Sequence, residues 1–232
     1  MRCYSVLVTV LLLLARSLAA AEHAEADAEA KRGLALLQEY ITAANYKEFG
    51  LSSPEEVSQL RVESGVDVFY VLNDDLKKFH AGGSLSELVR PSQTRFYPVT
   101  LKGEGKFLIT VRIREGKWKF ASFEETDNAS NMVRFMSANK FIGGKESTLY
   151  AVEIPALHLS YATVSKPVPG KSMSLLALNH TSLLAVRPGL ANNPNTYNPN
   201  TYTAAMSGVM DSNEVFGALA EKARKINTLG KP

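Results

Sequence analysis

An α+β fold is the class this sequence predicts, and three observations carry the prediction. An amphipathic helical pattern at residues 24–49 comes first, a three-stranded antiparallel meander over 94–123 lies in the middle, and a second amphipathic helix at about 213–227 comes last. Helices and strands are grouped rather than alternating as βαβ units, which argues against a parallel doubly wound sheet. The expected architecture is an N-terminal amphipathic helix packed on an antiparallel meander sheet, followed by further strands and a C-terminal helix.

The chain opens on a segment that reads as a secretory signal peptide over residues 1–21. Arg2 gives a positive start, Val6 to Leu14 is apolar but for one threonine, and Ala19, Ala20 and Ala21 supply small residues for cleavage after Ala21 or Ala19. The apolar run is shorter than the roughly 20 residues a membrane span takes. The sole cysteine, Cys3, precedes the run, so cleavage leaves a cysteine-free mature chain without disulfides or thiolate metal sites. Loss of Arg2 and Arg16 leaves 24 basic against 23 acidic side chains, a net charge of +1. That balance offers no case for a nucleic-acid partner, and no second apolar run is long enough for a transmembrane segment.

In the first helix Leu34, Leu37, Ile41 and Ala44 fall on one stripe, with Glu22, Glu25, Asp27 and Glu29 ahead of Lys31 and Arg32, as the helix dipole prefers. Gly50 closes it. Ser53-Pro54-Glu55-Glu56 has the form of a capped helix start. Val66–Leu72 is β-branched and aromatic, hence a strand, broken by Asn73-Asp74-Asp75. A helical turn follows around Leu76–Phe79. Ser84 and Glu87 form a further possible capping box before Leu88.

The meander strands are Thr94–Leu101, Lys106–Arg114 and Lys117–Phe123, joined by Lys102–Gly105 and by Glu115-Gly116. The two-residue turn sets the second register: Arg114 opposite Lys117, Ile113 opposite Trp118, Arg112 opposite Lys119, Val111 opposite Phe120. One face then carries Ile109, Val111, Ile113, Trp118 and Phe120 and needs a cover, which the first helix supplies. Asn128–Asn139 reads as a short helix with Met132, Val133 and Met136 inward. Thr148–Val164 reads as one strand or two bent at Pro155, and Ser172–Val186 as more strand. Residues 188–212 hold a tandem Asn-Pro-Asn-Thr-Tyr and read as a surface loop. The division expected is 1–21 signal peptide, 22–187 α+β domain, 188–212 Asn/Pro-rich loop and 213–232 C-terminal helix packed on the domain. The layout resembles cystatin-like and nuclear-transport-factor-like folds in architecture alone; no motif of either is present.

The candidate site follows from the hairpin register. Arg112, Arg114, Lys117 and Lys119 share the face away from Trp118, and pairing Leu101 with Lys106 would add Arg95 and Tyr97. Like charges directly opposite one another are unfavourable in a sheet, so a sequence that keeps them presents a candidate anion-binding surface. The plainer alternative is a solvated face that resists edge pairing. His158 and His180 are weak metal candidates with no ligand spacing between them, and Glu153 or Asp211 could join them as a third ligand. Ser165–Ser172 approaches a phosphate loop but lacks its first glycine and carries two prolines. Ser137-Ala138-Asn139-Lys140 matches S-x-x-K without its partner motifs. No catalytic residue and no cofactor can be assigned. The expectation is an exported protein, periplasmic or secreted, that binds an anionic ligand or acidic envelope partner without catalysis. An envelope hydrolase assembled in three dimensions and a structural component of the envelope are the alternatives.

Overall fold

The computed structural model describes residues 23–80, 88–138, 141–142, 145–146, 148–164, 166, 173–178 and 210–229. The signal segment, the tandem repeat, His180, the Ser84–Glu87 box and nearly all of Ser165–Ser172 lie outside the described residues.

Helix α1 runs over 23–40. Its stripe of Ala26, Ala30, Leu37 and Ile41 is buried, with Leu34 partly covered beside it. The helix stops well short of Gly50 because Asn45 competes for its last turn. The Asn45 side chain accepts from the Thr42 backbone N–H and donates to the Tyr40 carbonyl at 3.1 Å. A 3-10 turn, Tyr46–Phe49, follows, and Gly50 closes that turn at φ 63°. Pro54–Gln59 is also a 3-10 helix. Ser53 makes no side-chain cap bond, so the capping box is half-formed: the Glu56 carboxylate accepts from Ser52 N–H at 2.7 Å. Lys102 Nζ donates to the same carboxylate at 2.8 Å, and these two donors, Lys102 first, hold the acid below its ordinary pKa.

Nine strands form one sheet: β1 (Arg61–Val62), β2 (Val66–Val71), β3 (Val89–Leu101), β4 (Glu104–Arg114), β5 (Lys117–Glu125), β8 (Tyr150–Ile154), β9 (Leu159–Thr163), β10 (Ser174–Ala177) and β11 (Met210–Asp211). The order is β11-β10-β9-β8-β2-β3-β4-β5, with β1 paired to β3. Every pairing is antiparallel except β2 with β8. β8 to β11 therefore extend the main sheet. β6 (Phe141–Ile142) and β7 (Lys145–Glu146) make a separate ribbon.

Asn73-Asp74-Asp75 follows the end of β2, as read, and also opens helix α2 (Asn73–Lys78), earlier than the turn expected at Leu76, where the acids suit the N-terminal end. Helix α3 (Asp127–Ala138) buries Met132, Val133 and Phe135. Helix α4 (Ser212–Leu229) buries Val215, Phe216, Leu219, Ala220 and Ala223. Pro155–Leu157 is a 3-10 turn that separates β8 from β9.

Both faces of the sheet are covered. On one face α1 lies over β3–β5, against Tyr97, Val99, Phe107, Ile109, Val111 and Trp118. On the same face α2 and α4 lie over Phe69, Val71, Val152, Ile154, Tyr161 and Leu175. The opposite face carries Val66, Val68, Phe96, Leu108, Ala151 and Ala162 under α3. Two glycines make these approaches possible. A Cβ on Gly33 would stand 2.5 Å from the Phe120 ring, and one on Gly105 would stand 2.4 Å from the Ala129 carbonyl oxygen. No helix among the described residues is long and apolar enough to cross a membrane.

Candidate anion-binding face and a buried acid

Two tight turns build the β3–β4–β5 meander. Lys102 and Gly103 have φ of 53° and 83°, and Glu115 and Gly116 have 54° and 75°. Two successive positive φ values are the mark of a type I′ turn, whose twist matches that of the flanking strands. The second turn sets the register predicted for it, Arg114 opposite Lys117 and Arg112 opposite Lys119. All four side chains are exposed, and among the described residues none of them forms an ion pair. They lie on the α3 side of the sheet, beyond the helix, toward the hairpin tip.

Arg95 and Tyr97 do not join them. The first turn has two residues rather than four: Leu101 pairs with Glu104, not Lys106, and a register shift follows between Val99 and Thr100. Arg95 therefore faces Val111, and Thr94 takes the place opposite Arg112. A slip of one residue moves a side chain to the other face, and here it carries Arg95 and Tyr97 under α1. The Arg95 side chain is only 8% exposed, with Nε 2.9 Å from Asp67 Oδ1 and Nη1 3.8 Å from Asp27 Oδ1. Nη2 donates to the Gly65 carbonyl at 3.1 Å, and the guanidinium sits 5.4 Å from the centre of the Tyr97 ring. The Tyr97 hydroxyl donates to Asp27 Oδ1 at 2.8 Å. Burial first, and the Asp27 carboxylate second, push the phenol pKa upward. This network fastens the first turn of α1 to β3, and its cation is already matched by two carboxylates.

A second group of polar residues centres on Glu153, which the sequence offered only as a third ligand beside the two histidines. Glu153, on β8 between the buried Val152 and Ile154, points to the α3 face from an interior strand. Ser160 Oγ, opposite it on β9, donates to Glu153 Oε2 at 3.0 Å. Asn128 Nδ2, in the first turn of α3, donates to Ser160 Oγ at 3.4 Å. Glu153 Oε1 is buried and, among the described residues, has no hydrogen-bond partner. Desolvation pushes this carboxyl up to about 7, against the lowering effect of Ser160 and with a smaller upward push from Glu124. A carboxyl titrating near neutrality can give and take a proton. The only sequence sign of it was an acid set between two apolar strand residues.

His158 is not on a strand. It caps the Pro155–Leu157 turn in the left-handed region, at φ 53° and ψ 42°, and is exposed. Among the described residues no three acids, histidines or cysteines converge as metal ligands would. An open cleft of about 450 Å³ lies at the start of α3, lined by Gly105, Lys106, Glu125, Thr126, Asp127 and Ser130. Its two acids and one lysine give it no dominant charge.

No family model, curated protein or solved structure matches this chain.

Proposed function

We propose that this chain is an exported, non-enzymatic binding module, working in the periplasm or after secretion, and that it captures an anionic ligand or acidic partner on the β4–β5 face. One observation carries the reading: two cation pairs stand directly opposite each other across a hairpin, exposed and, among the described residues, in no ion pair. Such pairs cost stability in the free protein, and a bound anion relieves that repulsion. The signal-like N-terminal segment supports the compartment.

The test is retention on an anionic matrix at low salt. Reversal of both members of one pair, Arg112→Glu with Lys119→Glu, is expected to abolish retention while the circular dichroism spectrum stays unchanged. Retention equal to that of the parent protein would remove the proposal. Export is tested by N-terminal sequencing of the protein recovered outside the cytoplasm, with Glu22 or Ala20 expected as the first residue.

A further inference from the structure

The four cations form a grid with fixed dimensions. Side chains directly opposite across an antiparallel pair are about 5 Å apart at Cβ. Successive residues on one face of a strand are about 7 Å apart. Arg112/Lys119 and Arg114/Lys117 thus form a two-by-two array on a hairpin held rigid by its type I′ turn. Past the irregularity between Thr110 and Val111, Ser122 lies opposite Thr110 on the same face and is exposed, placing a hydroxyl beside the array.

What surrounds the array narrows the ligand. Every aromatic side chain of β4 and β5, namely Phe107, Trp118, Phe120 and Phe123, packs on the α1 face. None is available to stack on a nucleobase, as single-stranded nucleic-acid sites require. The large exposed apolar side chains among the described residues, Leu36, Tyr40 and Leu72, belong neither to β4 nor to β5. A protein partner would need an apolar centre in the patch, and a membrane would need an apolar side chain to insert.

We infer that this face takes an acidic polysaccharide, a linear chain bearing one carboxylate per sugar, and holds it by charge and by hydroxyl contacts rather than by stacking. The inference rests on the reading of the β4–β5 face as an anion site. A chain of uronic acids repeats its charge at a spacing of the same size as the array, so consecutive carboxylates engage both cation pairs together. A single anion engages one pair only.

The test uses the purified protein with three probes: polygalacturonate oligomers, free galacturonate, and vesicles of neutral lipid containing an anionic phospholipid. Four contacts on a linear polyanion predict that log affinity falls with log salt with a slope of about 3. The double variant Arg112→Gln, Lys119→Gln is expected to halve that slope and to weaken oligomer binding about tenfold at low salt. Free galacturonate at equal carboxylate concentration is expected not to compete. An unchanged slope and affinity in the variant would overturn the anion face itself. Variant-sensitive binding to vesicles, with no binding to the oligomers, would overturn the polysaccharide and leave the face standing. A slope near 1, or equal competition by the monomer, would overturn the engagement of consecutive charges.

Discussion

The substitution Glu153→Gln keeps the shape of a buried carboxyl and removes its ionisation. In the folded chain that carboxyl is pushed from 4.5 up to about 7 by desolvation. Below the unfolded value the group is neutral in both states and its contribution to stability is whole. As pH rises past 4.5 the unfolded chain ionises while the folded one stays protonated, so stability falls. Once pH passes about 7 both states are ionised and the loss is complete, at about 3 kcal/mol. Urea unfolding of parent and variant at pH 4, 6 and 8 measures it directly. At pH 4 the parent is expected to be the more stable or equal, because Gln must find new partners for its amide. At pH 8 the variant is expected to be the more stable by about 2–3 kcal/mol, with unchanged dependence on urea. Ser160 hydrogen-bonds the carboxyl and lowers its pKa, so Ser160→Ala should steepen the loss toward high pH. A gap between parent and Glu153→Gln that is the same at all three pH values would refute the reasoning. It would mean that Glu153 ionises as freely in the fold as in the unfolded chain.

Three further outcomes follow from contacts elsewhere. Asp27→Ala leaves the Tyr97 hydroxyl without its acceptor and removes one of two carboxylates near Arg95; a loss of about 1–3 kcal/mol is expected in a chemical melt, and Asp27→Asn should restore part of it. Gly105→Ala sets a methyl 2.4 Å from the Ala129 carbonyl; displacement of α3 is expected to cost about 1–3 kcal/mol, with hydrogen exchange accelerated along α3 and not along α1. Glu29 Oε2 accepts from the Phe120 N–H at 2.8 Å and so covers the outer edge of β5, the last strand in the sheet order. Glu29→Ala opens that edge, and light scattering should then show association rising with protein concentration.

Much of the fold was legible because its signals are local. Glu115-Gly116 between alternating apolar residues specifies a two-residue hairpin, and with it the opposition of Arg112 to Lys119. The stripes Leu34–Leu37–Ile41 and Val215–Phe216–Leu219 specify two helices and the faces they bury. The meander's apolar face named α1 as its cover for the same reason: surface of that kind must be removed from water. The α1 terminus was less legible, because the spacing of apolar residues continues past Asn45 whereas the hydrogen bonds do not.

The candidate site divided along the same line. The four cations of β4 and β5 depend on one tight turn and were readable from it. Arg95 and Tyr97 depended on the register shift between Val99 and Thr100: the shorter turn alone moves the pairing by two residues and keeps the faces, whereas the one-residue shift exchanges them. Glu153 was readable only as a third ligand beside His158 and His180, and its raised pKa needed the fold. Its pKa is made by burial and by Ser160 on β9 and Glu124 on β5, of which only Ser160 is near it in sequence. The sequence by itself determined the stripes of the two long helices, the meander with its apolar face, and where charge gathers on the hairpin, since these rest on periodicities of two and 3.6 residues; it did not show that β3 begins at Val89 or that Met210–Asp211, read as loop, is a strand. Only the tertiary structure decided that β8 lies parallel beside β2, that Arg95 is spent inside an ion network, and that the Glu153 carboxyl is buried beneath α3. Those outcomes depend on which distant surfaces meet, and burial and charge pairing exist only after they have met.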